Sequence, residues 1–192
     1  RNHNKYILIM FNIKKGQLLI SEPSFTESIF YKSVILILHH DINESIGLIL
    51  NQPSNIKLNK VINGLPLNKF KLNVGGPVEN NTLHFIHTLG QQIPDTKKIE
   101  KGIYWGGDFD TVKKLIIEKK ISVNDIRFFI GYSGWSKNQL INEINNNNWI
   151  IHNDETKICM QNSNEKLWSK LIKTKSRKHA IWANIPKDPS MN

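Results

Sequence analysis

The stretch SVILILHHDINESIGLILN, residues 33–51, contains two apolar runs separated by a short polar segment. Each run, residues 33–40 and residues 46–51, has the length of a buried β-strand and is rich in isoleucine and leucine. The segment Asp41–Ser45 between them is polar and short enough to join paired strands. We therefore predict an antiparallel hairpin here, and around it a sheet whose strands are buried on both faces.

Further apolar segments predict the rest of this sheet. They cover residues 17–21, 72–74, 82–89, 102–106, 125–131 and 149–151. Apolar residues at helical spacing predict helices at residues 55–62, 110–120 and 166–172, the second of them capped by Asp110. Because buried strands alternate with helices, we predict one α/β domain with a mixed sheet covered by helices.

The composition is that of one globular domain: 192 residues, 39% hydrophobic and 22% charged. The longest apolar runs are too short to cross a bilayer. The net charge of +10 would suit an anionic partner such as nucleic acid. However, the sequence has three arginines, at positions 1, 127 and 177, and its remaining positive charge is lysine. Nucleic-acid sites favour arginine, so nucleic-acid binding is left as a second alternative.

Cys159 is the only cysteine, which excludes an intrachain disulfide and fits a reducing compartment. We therefore predict an intracellular protein, in the cytoplasm or an organelle. The sequence opens on Arg1, so a removed targeting peptide, for example one for a plastid, is left open. No activating motif flanks Cys159, and we predict a structural role for it.

The segment GYSGWSKNQL, residues 131–140, nearly matches the G-x-S-x-G pattern of a serine nucleophile. In that pattern the serine turns directly into a helix, and a glycine follows two positions later. Here Trp135 occupies the glycine position. A triad of Ser133, Asp154 and His179 can be drawn in hydrolase order. We nevertheless predict that Ser133 is not a nucleophile, and that Gly131 and Gly134 turn the chain.

The same segment carries the signals of a helix start. Ser136 and Gln139 fit an S-x-x-Q capping box, in which each side chain bonds the other residue's backbone N–H. Trp135 and Leu140 occupy the two positions of a hydrophobic staple. We therefore predict a helix that begins at Ser136 and ends in the asparagine run at residues 145–148.

The histidines do not predict a metal site. His39 and His40 are adjacent on a predicted strand, so their side chains point to opposite faces. His84 and His87 are three residues apart on another strand and also face opposite ways. The turn at residues 75–77 lacks the lysine–serine pair of a phosphate-binding loop. We therefore predict no metal and no cofactor.

Seven segments, taken in order, resemble the AlgH-like family, whose members are largely uncharacterised. They are KGQLLISEP (15–23), FYKSVILILHHDINESIGLILNQP (30–53), VGGPV (74–78), LHFIH (83–87), GIYWGGDFD (102–110), RFFIGYSGWSKNQLINEI (127–144) and WANIPKDPSMN (182–192). The resemblance covers residues 16–192, and we predict one AlgH-like domain there, preceded by an extension over residues 1–15.

The resemblance implies an α/β three-layer sandwich with a mixed, strongly bent sheet. The family's founding name implies a regulator of transcription, although the sequence has no helix-turn-helix signature. Where the family commonly reads G-Y-A-G-W-x-x-G-Q-L-E-x-E, this chain has Ser133, Asn138 and Ile141 in place of alanine, glycine and the first glutamate. Glu143 keeps the second glutamate. A position that is usually alanine does not carry the chemistry of the family, which further disfavours Ser133 as a nucleophile.

A ligand site is predicted in a cleft where three loops of the family pattern, Asn51–Pro53, Gly75–Val78 and Gly131–Gln139, converge at the strand ends. Its residues are Asn51, Pro53, Gly75, Gly76, Pro77, Gly131, Gly134, Trp135, Gln139 and Glu143. We predict a non-enzymatic regulatory module that binds a small molecule or a protein there. The alternative is an enzyme, a hydrolase or transferase, which a pocket joining Asn51, Glu143 and a histidine of shifted pKa would favour.

Overall fold

The computed structural model describes residues 13–25, 29–100, 102–153, 157–161, 166–175, 181 and 183–184. Within these residues there are ten strands: β1 (Leu18–Ser21), β2 (Val34–His40), β3 (Glu44–Ile49), β4 (Pro53–Lys57), β5 (Lys71–Val74), β6 (Val78–His87), β7 (Lys97–Glu100), β8 (Ile103–Trp105), β9 (Ile126–Ser136) and β10 (Trp149–His152). The same part of the chain has α-helices α1 (Phe109–Ile117), α2 (Gln139–Asn145), α3 (Lys157–Met160) and α4 (Lys166–Lys173), and 3-10 helices at Leu58–Lys60 and Gly90–Gln92. Every predicted strand is present; β4 and β7 are not among the predictions.

The predicted hairpin is confirmed as the pair β2–β3. The two strands are antiparallel, with Ile35 opposite Ile49. In the connection, the Asp41 carboxylate accepts the backbone N–H groups of Asn43 and Glu44, at 2.7 and 2.9 Å. These hydrogen bonds from Glu44 and Asn43 lower the pKa of Asp41. An aspartate that bonds the backbone just ahead of it stabilises a tight turn, so the connection is short.

The strands form one large, mainly antiparallel sheet, in the order β10-β1-β2-β3-β9-β6-β8-β7. The exception to antiparallel pairing is β5, which lies parallel to β9 and carries β4 on its other edge. The central strand β9 therefore has β6 along one edge, and β3 and β5 one after the other along the opposite edge. With its few helices, the chain has an α/β fold.

Both faces of the sheet are apolar at β1 and β2. Leu18 and Ile20 belong to a buried cluster that includes Trp168 of α4, whose indole N–H donates to the Ser21 carbonyl at 2.9 Å. The intervening Leu19 belongs to another buried cluster, which includes Leu140 of α2. Successive strand residues point to opposite faces, so continuous apolar runs provide contact surfaces on both sides.

A third buried cluster joins α1 to the other half of the sheet. Val112 and Ile116 of α1 share it with Phe85 of β6 and Phe128 of β9. Phe70 meets Phe128 edge to face, with ring centroids 5.6 Å apart. This cluster fixes α1 beside β6, next to the groove described below.

The segment before β1 lies close to β7, which is at the far end of the sheet order. Lys15 precedes β1, yet its Nζ donates to the carbonyl of Lys98 in β7 at 3.0 Å. A Cβ atom added to Gly16 would lie 2.6 Å from Cβ of Glu100, at the end of β7. The segment before β1 and the strand β7 therefore lie side by side, although five strands separate β1 from β7 in the sheet order.

Arg127 of β9 is buried and connects three parts of the fold. Its guanidinium donates to the carbonyls of Cys159 in α3 and Leu50 after β3, at 2.7 and 2.8 Å, and to Oδ1 of Asn73 in β5, at 3.3 Å. Burial lowers the pKa of Arg127 to about 10, which still leaves it charged at neutral pH. The arginine in the described part of the chain is therefore an internal connector.

The predicted helix at residues 55–62 is wrong. Residues 53–57 form β4, and a 3-10 helix follows at Leu58–Lys60. Among the apolar residues of this segment Leu58 is buried, whereas Ile56 and Val61 are about half exposed. Pairing of Pro53 and Lys57 with β5 satisfies the backbone, and this non-local pairing overrides the local helical spacing.

The helix predicted to begin at Ser136 begins instead at Gln139. The strand β9 continues through Gly131 and Gly134 to Ser136, so these glycines do not turn the chain there. Half of the capping box forms, because the Gln139 side chain accepts the Ser136 N–H at 3.0 Å. The N-cap itself is Asn138, in the left-handed region with φ 62°. The end of the helix is as predicted: α2 stops at Asn145 within the asparagine run.

The predicted cap of α1 is displaced by two residues. Asp108, and not Asp110, is the N-cap, and its carboxylate accepts the backbone N–H of Thr111 at 2.8 Å. Hydrogen bonds from Thr111 lower the pKa of Asp108. Asp110 lies in the first turn, where its charge still favours the helix dipole.

Candidate functional site

The residues of the predicted site fall into two separate groups. The first group surrounds a close crossing of the chain between β5 and β9. A Cβ atom on Gly75 would lie 2.2 Å from the Gly131 carbonyl oxygen, and one on Gly76 would lie 2.2 Å from that of Tyr132. Glycine is therefore required at both positions by backbone packing. Pro77, which follows, is exposed, and Gly134 is half-buried further along β9.

Asn51 and Ser133 have internal partners in this first group. The Asn51 amide accepts the Val34 N–H and donates to the Lys32 carbonyl, each at 2.8 Å, and the side chain is buried. Ser133 is also buried, and its hydroxyl donates to the Gly75 carbonyl at 3.0 Å. The polar side-chain atoms of Asn51 and Ser133 are therefore hydrogen-bonded within the protein. Pro53 is exposed at the start of β4. Asp154 and His179, the other members of the triad considered above, lie outside the described residues.

The second group surrounds the carboxylate of Glu143 in α2. Its Oε2 accepts both the Trp135 and the Trp149 indole N–H, at 2.9 and 2.7 Å, and its Oε1 accepts the Gln139 amide at 3.0 Å. The two indoles meet edge to face with centroids 5.9 Å apart, and Phe30 stacks on Trp135 at 6.2 Å. The three hydrogen bonds join α2 to β9 and β10. The structure thus gathers Trp135, Gln139 and Glu143 in one hydrogen-bonded group, and Asn51 is bonded to other partners.

An open groove of about 480 Å³ lies elsewhere, beside strands β6 and β8. His84 and Phe85 of β6, Trp105 of β8 and Phe109 of α1 provide aromatic rings along it. Lys97 of β7 lines it as well; further lining comes from Asp95 and from Gly106 and Gly107. Concave, mainly apolar sites of about 300–1,000 Å³ with few polar groups are typical of small-molecule binding.

Strand pairing and two glycines shape this groove. Trp105 is opposite Ile86 of β6 on one side and Lys97 of β7 on the other. The next residues, Gly106 and Gly107, have φ of 64° and 116° and lead the chain from β8 to α1. Only glycine adopts such angles freely, which lets the chain turn away and leave the groove open.

Two histidines beside the groove are held by different environments. Nε2 of His84 is 3.1 Å from the Thr82 hydroxyl, and its ring meets Tyr132 edge to face at 5.5 Å. Burial lowers the pKa of His84, although the charge of Glu79 opposes the shift. At neutral pH the ring is therefore uncharged, an aromatic surface with one hydrogen-bonding edge.

His87 is fully buried behind the groove. Its Nε2 donates to the Gly106 carbonyl at 3.1 Å and lies 2.8 Å from the Thr96 hydroxyl, while Nδ1 accepts the Leu89 N–H at 3.3 Å. Burial lowers the pKa of His87 as well. The neutral ring therefore fixes the backbone of Gly106 from inside, and we assign it a structural role.

Neither a metal centre nor a membrane helix is evident in the described part of the chain. Its histidine, cysteine, aspartate and glutamate residues form no group of three or more that could hold a metal ion. None of its helices has the length and hydropathy that a membrane-spanning helix needs. Cys159 is buried, in accord with its predicted structural role.

The groove is not among the sites predicted from the sequence, which lie at other loops. A signal for it exists in the segments LHFIH and GIYWGGDFD, where aromatic residues and two glycines cluster. That signal becomes a site only when β6 and β8 pair, since His84 and Trp105 are 21 residues apart in the chain but are ring neighbours, with centroids 6.3 Å apart.

Comparison with known proteins defines the class to which this fold belongs. The profile of the AlgH-like family matches residues 18–180. A UPF0301 protein from Bacteroides fragilis is 39% identical over 184 residues, covering 93% of this chain and 91% of that protein. A UPF0301 protein from Chlorobaculum parvum is 36% identical over 180 residues, covering 94% and 96%. The chain belongs to the AlgH-like family, as its sequence segments indicate.

Two solved structures have the same fold. One is a protein from Corynebacterium diphtheriae, with a TM-score of 0.70 and 20% identity, covering 90% of this chain and 93% of that one. The other is the AlgH protein from Pseudomonas aeruginosa, with a TM-score of 0.70 and 21% identity, covering 89% and 94%. At this level of identity the likeness concerns the fold alone.

Proposed function

We propose that this AlgH-like protein is a non-enzymatic regulatory or interaction module that binds a small organic molecule in the groove beside Trp105. The observation that carries the proposal is the groove itself, which has the volume of a small-molecule site and an aromatic lining with few charged groups. The regulatory part rests on the resemblance to the AlgH-like family.

The loop site predicted from the sequence stays a second proposal for ligand binding. Its support is weaker, because Gly75 and Gly76 lie against neighbouring backbone and Asn51 is bonded to backbone groups of its own chain. A small molecule there would have to replace these contacts. We therefore place the ligand in the groove and propose that the predicted loop residues stabilise the chain crossing.

Gly106 offers a direct test of the groove. A Cβ atom at this position would meet no atom within 4 Å, so a side chain would extend into open space, and Asn tolerates positive φ best among other residues. We expect indole, used as a neutral planar probe, to shift amide NMR signals of β6 and β8 in the wild type. In Gly106→Asn the shifts should be lost, because the new side chain occupies the groove.

Gly102→Asn is the matched control. Gly102 also has a positive φ, 86°, and a Cβ atom there would likewise meet nothing within 4 Å, but the residue does not line the groove. This variant should bind the probe as the wild type does. Equal loss in both variants, or signal shifts confined to residues 75–78 and 131–134, would place the ligand elsewhere.

The enzymatic alternative, a hydrolase or transferase, has one observation in its favour. His84 is a histidine of lowered pKa in a groove, which is where a general base is found. However, Asn51 and Glu143 do not line this groove, whereas a pocket that joined both of them to such a histidine is what would favour an enzyme. An activated ester such as p-nitrophenyl acetate tests this alternative: turnover by the wild type that His84→Gln abolishes would favour an enzyme.

Nucleic-acid binding stays the second alternative. Arg127 is buried and bonded internally, so it is not available to phosphates. Lysines would have to supply such a surface, and Lys97 and Lys98 of β7 are exposed examples. Affinity for duplex DNA that falls steeply with added salt, at a slope set by several phosphate contacts, would support this function.

The remaining predictions on layers, boundaries and location are also proposals. We propose that α2 and α4 lie on opposite faces of the sheet and complete a three-layer sandwich, since alternate residues of β1 contact their two clusters. The domain boundary predicted at residues 15 and 16 stays a proposal too, and the burial of Ile13 favours a slightly earlier one. We propose an intracellular location on the basis of the single cysteine.

A further inference from the structure

The groove carries one charge of each sign. Asp95 and Lys97 both line it. Neither forms an ion pair with another of the described residues, whose ion pairs are His39–Asp41 and Lys120–Glu118. Lys97 Nζ instead lies 5.1 Å from the centroid of the Trp105 ring. Two unpaired opposite charges therefore flank an aromatic surface.

From this arrangement we infer that the groove binds a small zwitterion with a planar ring, of the chemical class of an aromatic α-amino acid. The inference rests on the proposed function, because it names the ligand class of the same groove. The ligand carboxylate would bind Lys97, its ammonium would bind Asp95, and its ring would lie against Trp105 and His84.

Charge complementarity favours a zwitterion over a ligand of single charge. An anion would gain from Lys97 but would be repelled by Asp95, and a cation would meet the reverse situation. A zwitterion satisfies both residues at once and leaves the net charge of the groove unchanged. His84 adds no competing charge at neutral pH, since burial lowers its pKa.

The aromatic lining favours a planar ring as the third element of the ligand. Trp105 and His84 both line the groove, and their ring centroids are 6.3 Å apart with an interplanar angle of 30°. Offset stacking and edge-to-face contacts with these rings add to the gain from burial. Gly106 has no side chain to obstruct the approach of the ring.

Three probes that differ by one charge test the inference. They are L-phenylalanine, its amide, which lacks the carboxylate, and 3-phenylpropionate, which lacks the ammonium group. NMR titrations of the full chain at pH 7 measure each Kd from groove signals. We expect phenylalanine to bind about five-fold more tightly than either analogue, because an exposed charge pair contributes up to about 1 kcal/mol, which corresponds to that factor.

Charge-removing variants assign each group to its partner. Lys97→Met should weaken phenylalanine about five-fold, to the level of the amide, and leave the amide unchanged. Asp95→Asn should likewise weaken phenylalanine about five-fold, to the level of 3-phenylpropionate, and leave 3-phenylpropionate unchanged. Lys98→Met is the matched control, because Lys98 is adjacent on β7 and does not line the groove, and it should leave all three Kd values unchanged.

The outcomes separate this inference from the proposed function. If either analogue binds as tightly as phenylalanine, and neither Lys97→Met nor Asp95→Asn changes the Kd, the inference of a zwitterion is wrong. Groove binding itself still holds in that case if Gly106→Asn abolishes it. If neither indole nor any of the three probes perturbs groove signals at millimolar concentration, both are wrong. Lys97→Gln replaces Lys97→Met if the first variant loses its dispersed NMR spectrum.

Discussion

At the scale of the residue, single polar groups are matched closely to their surroundings. Glu143 shows this most clearly, because one carboxylate accepts hydrogen bonds from two tryptophans and a glutamine. Both indoles are buried, so each needs a partner for its N–H. In its place a hydrophobic residue would leave two buried donors without partners.

We expect Glu143→Leu to destabilise the protein by about 2–4 kcal/mol, since each buried donor left unsatisfied costs about 1–3 kcal/mol. Glu143→Gln should cost less, because it keeps an acceptor oxygen. Urea denaturation followed by tryptophan fluorescence measures both. Gln139→Ala removes only exposed hydrogen bonds, those to Glu143 and Ser136, and should cost under about 1 kcal/mol. A Glu143→Leu effect no larger than that of Gln139→Ala would contradict the buried-partner account.

Gly76 shows the same close matching in the backbone. A Cβ atom there would lie 2.2–2.4 Å from three backbone atoms of Tyr132 and Ser133, which cannot move as a flexible side chain would. We expect Gly76→Ala to cost about 3 kcal/mol or more, at the upper end for overpacked interiors. Thermal unfolding measures the loss. A change under about 1 kcal/mol would show that β5 and β9 can separate without penalty.

At the scale of the element, the cap of α1 separates two neighbouring aspartates. Asp108 bonds the Thr111 N–H as N-cap, whereas Asp110 contributes only its charge in the first turn. Asp108→Ala should therefore cost about 0.5–2 kcal/mol, and Asp110→Ala about 0.3–1 kcal/mol, decreasing in high salt. Chemical denaturation in low and high salt measures both. If both variants lose the same amount of stability, and both losses decrease in high salt, the assignment of Asp108 as the N-cap is wrong.

Helices and strands also differ in how well local sequence predicts them. The run of residues 33–40 is apolar enough to be a strand in any context, and it is one. Residues 55–62 have the spacing of a helix, but pairing with β5 makes residues 53–57 a strand. Local propensity is worth a few tenths of a kcal/mol per residue, so a partner strand readily overrides it.

At the scale of the whole molecule, two histidines beside the groove, the half-buried His84 and the buried His87, make global stability depend on pH. Burial lowers the pKa of both His84 and His87 below the value of about 6.5 that unfolded chains show. Between the folded and unfolded values the unfolded chain binds more protons. The free energy of unfolding should therefore fall as the pH falls below about 6.5.

Urea denaturation between pH 7.5 and 5 measures this dependence. A double variant, His84→Gln with His87→Gln, should show a flatter profile over this range, even if its stability is lower at every pH. Asp41 and Asp108 also have lowered pKa values, but they lose their contribution only below about pH 4. The same slope in the variant and the wild type would assign the dependence to other groups.

The strands and helices that form for local reasons are predictable from the sequence alone. Apolar runs predict eight of the strands, because a continuous apolar run must be buried whichever partner it finds. The family is also evident from the sequence, since its segments occur in order along the chain. The sequence also singles out Gly75, Gly76 and Glu143 as site residues, although it does not predict the contacts that they make.

Which of those residues meet, and therefore where an open site remains, depends on the tertiary structure. Gly76 meets Tyr132 and Ser133, and Glu143 meets two indoles, so two predicted parts of the site are filled by the protein itself. The groove exists because β8 pairs with both β6 and β7, which brings His84, Trp105 and Lys97 together. Such non-local pairing leaves no periodic signal in the sequence, because its stabilising energy comes from contacts between distant segments.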